Sequence, residues 1–207
     1  MGDPPASFYF DLASPEAYLA SERVLHVLPG PAEWTGVLAR ELPGAESHEA
    51  FRCREEEGIF REETARRARE LGLQPLRWPD PFPFDSLLAM RVATYASSIG
   101  RAVPFAQAAF RQAFAGGHGL QVTDHVLIAA AACEMHPTAV LAASELRSVD
   151  RELRSATARA ARAGISEVPA VRVRGARPGE PERVFLGERA IEDAAAHMLA
   201  GAPVGSR

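Results

Sequence analysis

Apolar residues form short strand-like runs near the two ends of the chain and recur at helical spacing in between. Ser7-Phe8-Tyr9-Phe10-Asp11 is aromatic and nearly continuous, as expected of a strand covered on both faces. Ser14 then suits a helix N-cap and Pro15 the first helical position. Tyr18, Leu25 and Leu28 follow near helical spacing and predict one helix that runs to Pro29. A second strand is predicted over 33–38, so the opening reads as a parallel α/β unit.

From 46 to 163 the pattern is helical throughout. Residues 51–71 carry Glu62/Arg66 and Glu63/Arg67 pairs four apart, acid first, with Gly72 placed to end the helix. The Pro-rich stretch from Gln74 to Pro83 reads as a rigid connector, and Asp85 or Ser86 can cap the next helix. Further helices are predicted near 104–115, 124–135, 138–146 and 150–163, the last stopped by Gly164. Strand character returns in the alternating 170–174, with 183–186 as its hairpin partner and 188–199 as a closing helix. The fold class is therefore α/β with an all-helical insertion: residues 1–45 plus 164–207 form one domain, and 46–163 the insertion, whose last helix can pack with that domain.

Composition narrows the function. The chain has 207 residues, 47% hydrophobic and 24% charged, which is ordinary for a globular protein. All 23 bases are Arg against 27 acids, and a net charge of −4 with no free basic run argues against nucleic-acid binding. The longest apolar run, Val126 to Cys133, is far short of the ~20 residues that cross a bilayer. Met-Gly-Asp-Pro-Pro lacks the basic and apolar regions of a signal peptide, so a cytoplasmic location is expected. Cys53 and Cys133 lie far apart with no C-x-x-C, and His136 after Cys133 has no second Cys/His pair, so neither a disulfide framework nor a metal site is expected.

Two local features could carry chemistry. Ser14 caps a helix directly after a strand end, where α/β sheets place ligands, and first-turn amides plus a hydroxyl suit a thiolate. Val168-Pro169 is either a trans proline at a strand start or a cis bond that would turn the Val168 backbone toward a peptide-like ligand. Gly116-Gly117-His118-Gly119 lacks the Lys-Ser/Thr of a phosphate loop and reads as a plain connection. Trp78, Phe82 and Phe84 either line an apolar substrate pocket or pack the insertion onto the α/β part.

The order of strand, Ser-Pro helix, strand, helical block, Gly164-Ile165, Val168-Pro169, hairpin and helix resembles the thioredoxin-like fold of the DsbA superfamily. More narrowly, Phe8-Tyr9-Phe10-Asp11-Leu12-Ala13-Ser14-Pro15-Glu16-Ala17-Tyr18-Leu19 is similar to the opening motif of the 2-hydroxychromene-2-carboxylate isomerase and kappa-class glutathione transferase family. The likeness continues through Leu71 to Pro79, Phe82 to Arg91, and the Val-Pro motif. It implies an isomerase or transferase that uses glutathione or another low-molecular-weight thiol on a small conjugated electrophile. Ser14 would be catalytic, facing the sulfur. Val168, Pro169, Glu188 and Arg189 would bind the cofactor, and Tyr18, Trp78 and Phe84 are candidates for the substrate pocket. A homodimer is implied as plausible. DsbA itself opens this helix with C-x-x-C, where this chain has Ser14-Pro15-Glu16-Ala17, so dithiol exchange is disfavoured. The family's usual Lys after the second strand is missing, leaving Arg40, Arg52 or Arg54 to meet a carboxylate, and Leu186-Gly187-Glu188-Arg189 lacks the family's Asp-Arg. The alternatives are a DsbA-family oxidoreductase-like protein without C-x-x-C and a non-catalytic thioredoxin-like binding protein.

Overall fold

The structure, a computed structural model, describes residues 4–45, 51, 53–175 and 180–201. The strands are β1 (Ala6–Phe10), β2 (Ala32–Gly36), β3 (Ala170–Val173) and β4 (Arg183–Leu186). The helices are α1 (Pro15–Ser21), α2 (Val24–Val27), α3 (Arg54–Glu70), α4 (Leu87–Ser98), α5 (Ala102–Phe114), α6 (Thr123–Ala131), α7 (Pro137–Ser144), α8 (Arg147–Arg162) and α9 (Ala190–Gly201), with a 3-10 turn at Ala39–Glu41.

The strand β1 is buried along its whole length, which explains its consecutive rather than alternating apolar residues. The parallel neighbour β2 sets Trp34 beside Phe8, and antiparallel β3 on the other side sets Ala170 beside Tyr9. The hairpin partner β4 completes the order β2-β1-β3-β4. Residues 176–179 of the predicted turn between β3 and β4 lie outside the described residues.

Successive β1 side chains face opposite layers. Phe8 and Phe10 pack with Trp34, Val171, Met90 of α4 and Phe110 of α5, in one continuous core that joins sheet and helical block. Each of these fully buried aromatic rings contributes roughly 1.5–3 kcal/mol relative to an exposed one. On the opposite face, Tyr9, Val37, Val168 and Ala170 pack with Ile165 and with Ala160 of α8. Thr157 of α8 also accepts the Leu38 N–H at 3.0 Å, fastening that helix to the end of β2.

The predicted single helix to Pro29 is broken into α1 and α2, and the cause is tertiary. Glu22 accepts hydrogen bonds from Nε and Nη2 of Arg111 on α5, each at 2.7 Å, while Arg23 reaches Glu192 on α9 at 2.7 Å. These neighbours are drawn to different helices, and the Arg23 N–H bonds the Ala20 carbonyl, which tightens the last turn of α1.

Candidate active site

The chain leaves β1 through Asp11-Leu12-Ala13-Ser14. Asp11 is buried, and its carboxylate accepts the Ala13 and Ala39 N–H groups, each at 2.9 Å. That one side chain ties the turn before α1 to the chain leaving β2. The Ser14 N–H donates to the Asp11 carbonyl at 3.0 Å, and Ser14 Oγ accepts the Ala17 N–H at 3.0 Å, the side-chain cap its sequence predicts. The Ser14 hydroxyl donates to Glu16 Oε2 at 3.1 Å. With only seven residues in α1, the hydroxyl and its neighbouring amide matter more here than a long helix dipole.

Ser14 shares its cavity with Val168-Pro169, whose peptide bond is cis. The Pro169 carbonyl accepts the Gly187 N–H at 2.9 Å, which joins this turn to the one preceding α9. Among the described residues the Val168 N–H and C=O carry no hydrogen bond, although the residue is buried. Ser14 and Val168 border the same cavity, of about 530 Å³. Its far wall is aromatic, formed by Phe51, Phe60, Phe82 and Phe84. Its polar lining is strongly acidic: Asp11, Glu16, Asp85, Glu167 and Glu188 against Arg40. Arg40 pairs with Asp85 at 3.1 Å.

Ser14, Val168, Pro169, Glu188 and Phe84 thus share one cavity, although nothing in their spacing along the chain required it. Three predicted residues lie elsewhere. Tyr18 is in the core with its ring against Phe114 at 5.7 Å, where burial and then the Glu22 carboxylate push its phenol up in pKa; its place inside α1 points it into the sheet–α5 layer. Trp78 stands behind the aromatic wall, edge-on to Phe82 at 4.9 Å and covered by Arg61 at 5.1 Å. Arg189 points outward, with Asp193 at 3.7 Å, while Gly187 and Glu188 border the cavity. Of the cations proposed to meet a carboxylate, Arg40 lines the cavity, Arg54 is exposed at the start of α3, and Arg52 lies outside the described residues.

Sequence reasoning passed over Asp11, Phe51, Phe60, Asp85 and Glu167. Only Asp11 had a local signal, a carboxylate closing an apolar strand just before a capping serine. Among the described residues no cysteine lines the cavity. Cys133 is buried at the end of α6, where desolvation pushes its thiol up in pKa, and Cys53 is exposed before α3. No helix among the described residues is long and apolar enough to cross a membrane.

A family model described as a DSBA-like thioredoxin domain matches residues 7–198. No curated protein sequence matches the chain. Among solved structures, 2-hydroxychromene-2-carboxylate isomerase is similar at a TM-score of 0.78 and 15% identity, covering 94% of each chain. A probable DsbA oxidoreductase from Streptomyces coelicolor is similar at 0.76 and 16% identity, over 99% of this chain and 94% of its own. The cytosolic disulfide reductase DsbM from Pseudomonas aeruginosa, in its structure with GSH, is similar at 0.63 and 14% identity, over 94% and 97%. At these identities the likeness is one of fold.

Proposed function

The chain belongs to the DSBA-like thioredoxin domain family, and from that premise we propose that it is an enzyme using a low-molecular-weight thiol, glutathione or another, to isomerise or conjugate a small conjugated electrophile. The observation that carries this reading is the Ser14 hydroxyl, which shares a cavity with Val168, whose backbone N–H and C=O are unpartnered among the described residues, with Ser14-Pro15-Glu16-Ala17 where C-x-x-C relatives hold their own thiols. These residues fit the sulfur of a thiol and the amide next to it. A bound thiol supplies a nucleophilic sulfur that adds to the electrophile and, in an isomerisation, leaves again once the freed bond has rotated.

The chain's own part is to hold and stabilise. Ser14 Oγ is polarised by the Ala17 N–H and can turn its proton from Glu16 to a sulfur anion, favouring the ionised form. The Val168 N–H and C=O can pair with an extended ligand as an added strand does. The phenylalanine wall suits an apolar conjugated substrate. Thiols are expected to raise the melting temperature, and Ser14→Ala to lower thiol-dependent turnover about 10²–10³-fold, the usual cost of one donor to a developing anion. Since the same change removes a helix cap worth about 1 kcal/mol, folding of the variant is checked by circular dichroism. No melting-temperature response to any thiol would sink this reading.

One observation favours a redox reading instead: exposed Cys53 lies two residues from Phe51, which borders the cavity. Disulfide reduction by the native chain that disappears in Cys53→Ser would establish it; background activity in the native chain would remove it.

A further inference from the structure

The cavity's charge is at odds with one of the two thiols considered. Glutathione carries a carboxylate at each end and an ammonium beside only one of them, so its net charge is negative and its glycine end offers a carboxylate alone. Among the described residues Arg40 alone supplies a positive charge to the lining, and Asp85 already holds it. The Val168 side is worse for an anion. Glu167 and Glu188 flank the Val168-Pro169 turn, and neither has an ion pair among the described residues. The two carboxylates share one rim: a Cβ placed on Gly187 would lie 3.0 Å from Glu167 Oε1, so that oxygen sits against the residue next to Glu188. They do not group into a metal site, since no three His, Cys, Asp or Glu among the described residues are arranged to hold an ion. Beside them, the buried and unpartnered N–H and C=O of Val168 offer pairing to a ligand backbone. A ligand that takes those two hydrogen bonds lays its flanking groups against two negative charges.

We propose that the thiol taken by this cavity carries no carboxylate where it passes Glu167 and Glu188, so that a neutral or cationic thiol is the cofactor and glutathione is not. The proposal rests on the thiol-binding reading of Ser14. Opposed like charges are set against binding, while an ammonium, an amide N–H or a hydroxyl at the same place is welcomed.

The test compares glutathione with its bis-amide, in which both carboxylates are carboxamides of nearly the same shape, on the full chain by calorimetry. In about 0.01 M salt the bis-amide is expected to bind about tenfold more tightly, and the gap to close in about 1 M salt, where screening reaches only about 3 Å. Glu167→Gln combined with Glu188→Gln is expected to close it at low salt as well. Glutathione binding as tightly as its bis-amide, or a preference that survives in the double variant, overturns the inference but leaves the thiol-dependent function standing. Binding of neither overturns the inference, while the thiol-dependent function falls only if no other low-molecular-weight thiol shifts the melting temperature.

Discussion

At the residue scale the site turns on who receives the Ser14 proton. Glu16 Oε2 takes it at 3.1 Å, and a bound sulfur anion would have to compete with that carboxylate. Glu16→Ala is therefore expected to increase thiol affinity several-fold while costing about 0.3–1 kcal/mol of stability, because an acid in the first turn is lost. Titration calorimetry and thermal melts should move in opposite directions; a loss in both would show that Glu16 serves the ligand. The cap itself was legible in the sequence, since Ser-Pro after an apolar strand has few other uses. The competition was not, because Glu16 two residues on is an ordinary helix-start acid until its side chain is seen folded back on Ser14.

Between elements, charge decides geometry that apolar periodicity leaves open. Hydrophobic spacing was enough for β4, observed over the predicted 183–186, and a glycine was enough for the stop after α3, where Gly72 takes φ +69. It could not place the break between α1 and α2, which depends on Arg111 and Glu192 from distant segments. A second such junction joins α4, α8 and the 3-10 turn. Asp150 accepts Arg91 at 2.8 Å and Arg154 at 3.0 Å, and Arg154 also bonds Glu41. Hydrogen bonding by Arg91, and next by Arg154, holds the Asp150 carboxyl below its ordinary 3.8. A carboxylate with a lowered folded pKa stabilises the fold at pH values above the unfolded pKa, and that contribution fades as pH falls through the folded one. Asp150→Asn should accordingly lower the urea midpoint near neutrality, with the difference from the native chain shrinking below about pH 4. A difference independent of pH would mean that packing, not charge, holds this junction.

Across the whole molecule, the cavity belongs to neither end of the chain. Its polar lining comes from the turns after β1 and before β3, the Gly187-Glu188 corner, Arg40 after β2 and Asp85; its aromatic wall comes from Phe51, Phe60, Phe82 and Phe84, which like Asp85 lie in the segment the sequence assigns to the insertion. The α/β order and the Val-Pro motif were readable because strand and helix periods are local. Phe51 and Phe60 were not: Phe51 precedes α3, and Phe60 on that charged helix is indistinguishable from a packing residue until α3 is laid across the site. The rings also touch one another, Phe60 with Phe51 at 5.3 Å and with Phe82 at 6.4 Å, so the wall is continuous and partly self-supported. If thiol and electrophile use opposite walls, their energetics should separate. Phe60→Ala removes half-buried aromatic area on the wall assigned to the electrophile, where the ring packs against Phe51, Trp78 and Phe82. It should raise KM for an aromatic conjugated substrate about tenfold, in line with the roughly 1.5–3 kcal/mol that burying such a side chain contributes, and leave the thiol Kd within about twofold. Steady-state kinetics at saturating thiol, with calorimetry of the thiol alone, read the two quantities independently. A parallel loss in both would mean that the thiol itself lies on the aromatic wall, and would move the electrophile to the acidic rim.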